Sequence, residues 1–91
     1  MTTEVSDSVY LTAAFYKFVM LPDFASRRAP LLAFCEAHNV KGLILLAEEG
    51  INSTIAGAPA DVHAVLSYLR SDPLLADLEH KESFATKAPF H

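Results

Sequence analysis

The stretch Leu45-Leu46-Ala47-Glu48-Glu49-Gly50-Ile51-Asn52-Ser53-Thr54-Ile55-Ala56-Gly57 decides how this chain folds. Two apolar runs flank Glu48-Glu49-Gly50, so the stretch reads as a β-hairpin whose Gly50 supplies a φ > 0 turn position. Such a turn needs only the glycine. The adjacent carboxylates of Glu48 and Glu49 and the amide of Asn52 go beyond that need, and polar groups on a loop carried by a rigid scaffold point to binding or docking.

Working outward, Val9 to Met20 is dense in β-branched and aromatic residues and predicts a first strand, central in a sheet and largely covered on both faces. Lys17 interrupts it near its C-terminal end. Leu21-Pro22-Asp23 breaks the strand, with Asp23 placed to cap a helix over Phe24 to Asn39. Leu31, Phe34, Cys35 and His38 fall on one side of that helix. Pro30 conflicts with an unbroken helix, which predicts a short first turn and a main helix starting near Ala29. Asn39 suits a left-handed helix cap before the hairpin strands Leu43 to Ala47 and Ile51 to Ala56.

After Gly57-Ala58, Pro59 sits at a first helical position, and Val62, Val65, Leu66 and Leu69 keep the spacing of one buried stripe. Asp61 near the start and Arg70 near the end suit the helix dipole. Asp72-Pro73 ends the helix, and Leu78 to Ala85 predicts a last strand. The order βαββαβ gives an α+β fold: a ferredoxin-like (acylphosphatase-like) plait, an antiparallel sheet with two helices on one face.

Ninety-one residues, 52% hydrophobic and 20% charged, fit one small domain with its own core. No apolar run approaches the roughly 18 residues of a membrane span, and residues 1–8 read as a flexible polar tail rather than a signal peptide. A single cysteine fits a reducing cytoplasm. The net charge of −4 argues against a broad basic face for gripping nucleic acid, so any RNA contact has to be local.

The motif LLAEEGIN-x-TIAG resembles the N-terminal domain of the bacterial tRNA uridine hydroxylases, rhodanese-related proteins that convert wobble uridine to 5-hydroxyuridine. The resemblance extends to Ala14-Phe15-Tyr16-Lys17-Phe18, to Leu31-Leu32-Ala33-Phe34-Cys35, and to His80-Lys81-Glu82-Ser83-Phe84-Ala85 before Pro89-Phe90. It implies an accessory domain over residues 9–86, with 87–91 beginning a linker to an absent rhodanese-like domain that carries the catalytic cysteine. The implied partners are tRNA, through the full-length protein, and that catalytic domain. The isolated chain is then expected to be inert and to need no cofactor.

Six residues stand out for RNA contact or domain docking: Lys17, Glu48, Glu49, Asn52, Thr54 and Lys81. Neighbours on a strand point to opposite faces, so Glu48 and Glu49 converge only if the turn bends them together. Thr54 shares a strand face with Asn52. In this plait the first and last strands need not be neighbours, so a joint Lys17–Lys81 patch does not follow from the sequence. Cys35, late in an apolar helix, reads as a buried structural thiol. The four histidines show no metal-ligand spacing, and His63 reads as lying on a solvated helix face.

Two other functions share the fold. An acylphosphatase-type hydrolase needs a phosphate-cradling loop after the first strand, and Lys17-Phe18-Val19-Met20-Leu21-Pro22 has neither glycine nor arginine. A ligand-sensing or protein-interaction module would act through its open sheet face or edge strands.

Overall fold

A computed structural model of the chain describes residues 9–86; the expected tail at 1–8 and linker start at 87–91 lie outside the described residues. The order is β1 (Tyr10–Phe18), α1 (Phe24–Ala37), β2 (Lys41–Ala47), β3 (Gly50–Gly57), α2 (Pro59–Arg70), a 3₁₀ turn at Pro73–Leu75, and β4 (His80–Ala85). The strands form one antiparallel sheet in the order β2-β3-β1-β4. This is the acylphosphatase-like plait that the βαββαβ pattern predicts.

Strand β1 is central, as expected, but it is covered on one face only. Leu11, Ala13 and Phe15 are buried, whereas Ala14, Tyr16 and Phe18 are exposed. Both helices explain the asymmetry by packing on the same side, α1 on β2 and α2 on β1 and β3. Between helices and sheet lies a single core that includes Leu11, Phe15, Leu31, Ile51, Ile55, Val62, Val65, Leu66 and Leu69. Burying each large side chain of this kind contributes about 1.5–3 kcal/mol, which lets a small domain hold together.

Helix α1 departs from expectation in running unbroken from Phe24 through Pro30 to Ala37. Pro30 lacks the N–H that would bond the Ser26 carbonyl, but both residues are on the exposed side, where that oxygen is open to solvent and the lost bond costs little. Asp23 holds the N-cap position without capping through its side chain. Its carboxylate instead accepts from Arg27 Nε at 2.8 Å.

The other end of α1 is a Schellman motif. Asn39 takes the left-handed conformation at φ +55, donates its N–H to the Glu36 carbonyl, and is followed by Val40, whose N–H reaches the Cys35 carbonyl at 2.9 Å. Val40 and Cys35 are both buried in the core, the apolar contact that accompanies this motif. In α2 the buried residues are Val62, Val65, Leu66 and Leu69, the stripe read from the spacing.

Candidate functional site

The hairpin turn is a two-residue connection, Glu48-Glu49, closed by the Ala47↔Gly50 pair. Gly50 has φ +145, and a Cβ there would stand 2.1 Å from the Lys17 carbonyl oxygen, so the close approach of β3 to β1 demands glycine. The tip is also a clamp. The Glu49 carbonyl accepts the Val19 N–H at 3.1 Å, and the Glu48 carbonyl accepts the Leu21 N–H at 2.7 Å. Both glutamate side chains are exposed, and among the described residues neither carboxylate forms a hydrogen bond or ion pair. The same clamp engages backbone N–H groups that a phosphate cradle after β1 would have to aim at an anion.

The uncovered sheet face is ordered in rows across the strands. One row runs Lys81, Ala14, Thr54, Leu43, and the next runs Tyr16, Asn52, Leu45. A third row places Ser83, Thr12, Ala56 and Lys41 side by side. Tyr16 is 66% exposed and Phe18 81%, with Leu43 and Leu45 also open to solvent. The Tyr16 and Phe18 rings meet edge to face at 5.7 Å between centroids. Ala14, Tyr16, Asn52, Thr54, Glu79 and Lys81 line a shallow groove of about 690 Å³ on this side.

Asn52, Thr54 and Lys81 therefore share one face, and Lys17, of the opposite parity, borders the same groove at its Asp77 end. It keeps the parity of the buried residues Leu11, Ala13 and Phe15, and its ammonium pairs with Asp77 at 3.0 Å. That ion pair holds the Asp77 carboxyl below the usual carboxylate range. Strands β1 and β4 are direct neighbours, yet Lys81 stands opposite Ala14, on the other face from Lys17. Glu48 and Glu49 lie beyond the end of the rows.

Several polar contacts were not legible from spacing. Arg70 Nη2 lies 2.8 Å from His80 Nδ1. Arginine only donates, so Nδ1 accepts and the network assigns the His80 proton to Nε2, which donates to Glu82 Oε2 at 2.6 Å. His63 Nε2 reaches the same oxygen at 3.0 Å. His80 first, then His63, holds the Glu82 carboxyl below its ordinary range. The three side chains converge closely enough to resemble a metal site. In the tautomer that this network assigns, His80 Nε2 carries the proton shared with Glu82, and the group forms a hydrogen-bonded tie between α2 and β4.

Arg27 makes a second tie, from α1 to Asp23 and to Asp72 beside the 3₁₀ turn. The Leu74 N–H and then Arg27 hold the Asp72 carboxyl low. Cys35 is buried as expected, and desolvation pushes its thiol up, away from the thiolate that nucleophilic chemistry needs. His38, at the end of α1, bonds the Phe34 carbonyl at 2.9 Å and stacks on the Phe34 ring.

Fold and open face together define the class: an acylphosphatase-like α+β domain with helices on one side and an uncovered, aromatic-bearing sheet on the other. The chain belongs to the family described as the UPF0176 acylphosphatase like domain, which matches residues 10–91. It is 71% identical over 82 residues to the tRNA uridine(34) hydroxylase of Albidiferax ferrireducens, covering 90% of this chain and 26% of that protein. The protein of the same name from Acaryochloris marina is 56% identical over 84 residues, covering 92% of this chain and 27% of that protein. That of Rhizobium etli is 59% identical over 81 residues, covering 89% and 26%. The chain thus spans about a quarter of the length of the curated relatives it matches. Among the described residues no helix is long and apolar enough to cross a membrane.

Proposed function

We propose that this chain is the N-terminal accessory domain of a cytoplasmic tRNA-modifying enzyme that hydroxylates wobble uridine. It helps position tRNA for a rhodanese-like catalytic domain elsewhere in the protein, or supports that domain. The observation that carries this reading is 71% identity, across 90% of the chain, to a protein named tRNA uridine(34) hydroxylase. The chain's own chemistry agrees with an accessory role. Its one thiol is buried with a raised pKa, and the backbone after β1 is tied to the hairpin tip rather than free to cradle a phosphate.

The test is nucleoside mass spectrometry of tRNA from cells that lack wobble uridine hydroxylation. Supplying the full-length protein is expected to restore 5-hydroxyuridine. The 91-residue chain alone, and the full-length protein without residues 10–86, are expected to leave it absent. Failure of the full-length protein to form 5-hydroxyuridine overturns the reading.

A further inference from the structure

The uncovered face carries a pattern that the hydroxylase reading does not by itself require. Tyr16 and Phe18 project from the central strand with their rings open to solvent, and nothing in the core needs them there. Opposite Tyr16 stands Asn52, and opposite Ala14 stand Thr54 on one side and Lys81 on the other. Amide and hydroxyl groups thus stand in register beside the aromatic pair. Lys41 and Lys81 sit at opposite edges of the same face, and among the described residues neither forms an ion pair.

The carboxylates are mostly turned away or neutralised. Asp77 and Glu79 both border the groove, but Asp77 is paired with Lys17; Glu82 faces His63 and His80, and Glu48 and Glu49, unpaired among the described residues, lie past the Phe18 end of the rows. On a domain of net charge −4, this leaves one local surface where aromatic rings, hydrogen-bonding groups and free lysines coincide. A four-stranded sheet with aromatics on an open face is suited to holding single-stranded RNA, whose unstacked bases lie on the rings while their edges meet polar side chains. A protein partner would be better matched by an unbroken apolar face, and here Asn52 and Thr54 separate Tyr16 from Leu43 and Leu45.

We infer that this face is a stacking surface for unpaired RNA bases. Tyr16 and Phe18 are the platforms, Asn52 and Thr54 contact base edges, and Lys41 and Lys81 contact phosphates. The inference rests on the tRNA reading above and specifies the part of a tRNA that meets this domain: a single-stranded loop, not a paired stem.

The experiment titrates the chain with an anticodon stem-loop RNA and with a fully paired duplex of equal length, following amide and aromatic ring resonances. Shifts are expected at Tyr16, Phe18, Asn52, Thr54 and Lys81, with the duplex bound more weakly than the stem-loop. Tyr16→Ala is expected to weaken stem-loop binding at least about tenfold. Tyr16→Phe, which keeps the ring, is expected to stay within about twofold of wild type. Both side chains are exposed, so a thermal melt close to wild type verifies that the variants are folded. Unchanged affinity in Tyr16→Ala and Phe18→Ala, or shifts confined to the helix face, overturns the inference.

Hydrogen exchange on the full-length protein supplies the other arm. Greater protection of Leu43–Leu45 and Tyr16–Phe18 in the full-length protein than in the 91-residue chain, both without RNA, would make the face a seat for another domain and would also overturn it. If wild-type full-length protein modifies tRNA while a Tyr16→Ala/Phe18→Ala variant binds tRNA equally well, only the stacking inference fails. If wild type forms no 5-hydroxyuridine, the hydroxylase reading fails first.

Discussion

Gly50 shows how one backbone position fixes the neighbourhood of the hairpin. Its φ of +145 is closed to side chains, and a Cβ would press on the Lys17 carbonyl oxygen at 2.1 Å. Gly50→Ala is therefore expected to destabilise the chain by about 3 kcal/mol, read as a lower midpoint in urea unfolding. Asn39, at φ +55, bears a milder version of the same demand. Asn39→Gly should leave stability unchanged or slightly raised, while Asn39→Val should lower it by about 1–2 kcal/mol.

Asp72 gives a pH dependence whose sign follows from its partners. The Leu74 N–H and Arg27 lower its pKa in the folded state, so its contribution is present above the unfolded carboxylate pKa of about 3.9 and is lost as pH falls through the folded value. Urea unfolding at neutral pH and at successively lower pH should show a steeper loss in the wild type than in Asp72→Asn. At neutral pH, Arg27→Ala should cost about 1 kcal/mol, the upper range for a partly exposed pair. Gly50 and Asn39 were readable from the sequence because their requirements are local backbone conformations. The Arg27–Asp72 pair spans 45 residues, and no local pattern announces it.

At the scale of elements, side-chain periodicity was a sound guide wherever one face is buried. The stripe Val62, Val65, Leu66 and Leu69 on α2 was legible because a helix over a sheet buries one side and no other. The coverage of β1 is not legible in its sequence, because aromatic and apolar residues at consecutive positions look alike whether covered on two faces or one. Only the placement of both helices on one side tells that Tyr16 and Phe18 face solvent. For the same reason Asn52, Thr54 and Lys81 were singled out while the aromatic pair between them in the sheet was not.

Pro30 does not break α1, since its missing hydrogen bond falls on the solvent-exposed side of the helix. Two leucines make the distinction between faces measurable. Leu66 is 1% exposed in the core and Leu43 is 61% exposed on the open face. Leu66→Ala is expected to cost about 2–5 kcal/mol in urea unfolding of the chain. Leu43→Ala should change stability by no more than about 0.5 kcal/mol. A large loss from Leu43→Ala would mean that this face is covered in solution.

For the molecule as a whole, the net charge of −4 sets how RNA has to be held. A protein that grips phosphates broadly loses affinity steeply with salt, because each neutralised phosphate releases counterions. Among the described residues Lys41 and Lys81 flank the open face from its edges without an ion-pair partner, whereas Lys17 is committed to Asp77. Two phosphate contacts on a single strand give a slope of log affinity against log salt of about −1.4, or about a sevenfold loss between 50 and 200 mM salt. Stacking on Tyr16 and Phe18 is nearly indifferent to salt, so Tyr16→Phe should keep this slope, whereas Lys81→Ala should reduce it by about 0.7. The measurement is the stem-loop titration repeated across that salt range for the three proteins. A slope several times steeper, unmoved by Lys81→Ala, would place the phosphate contacts off this face and leave Tyr16 and Phe18 without a role in binding.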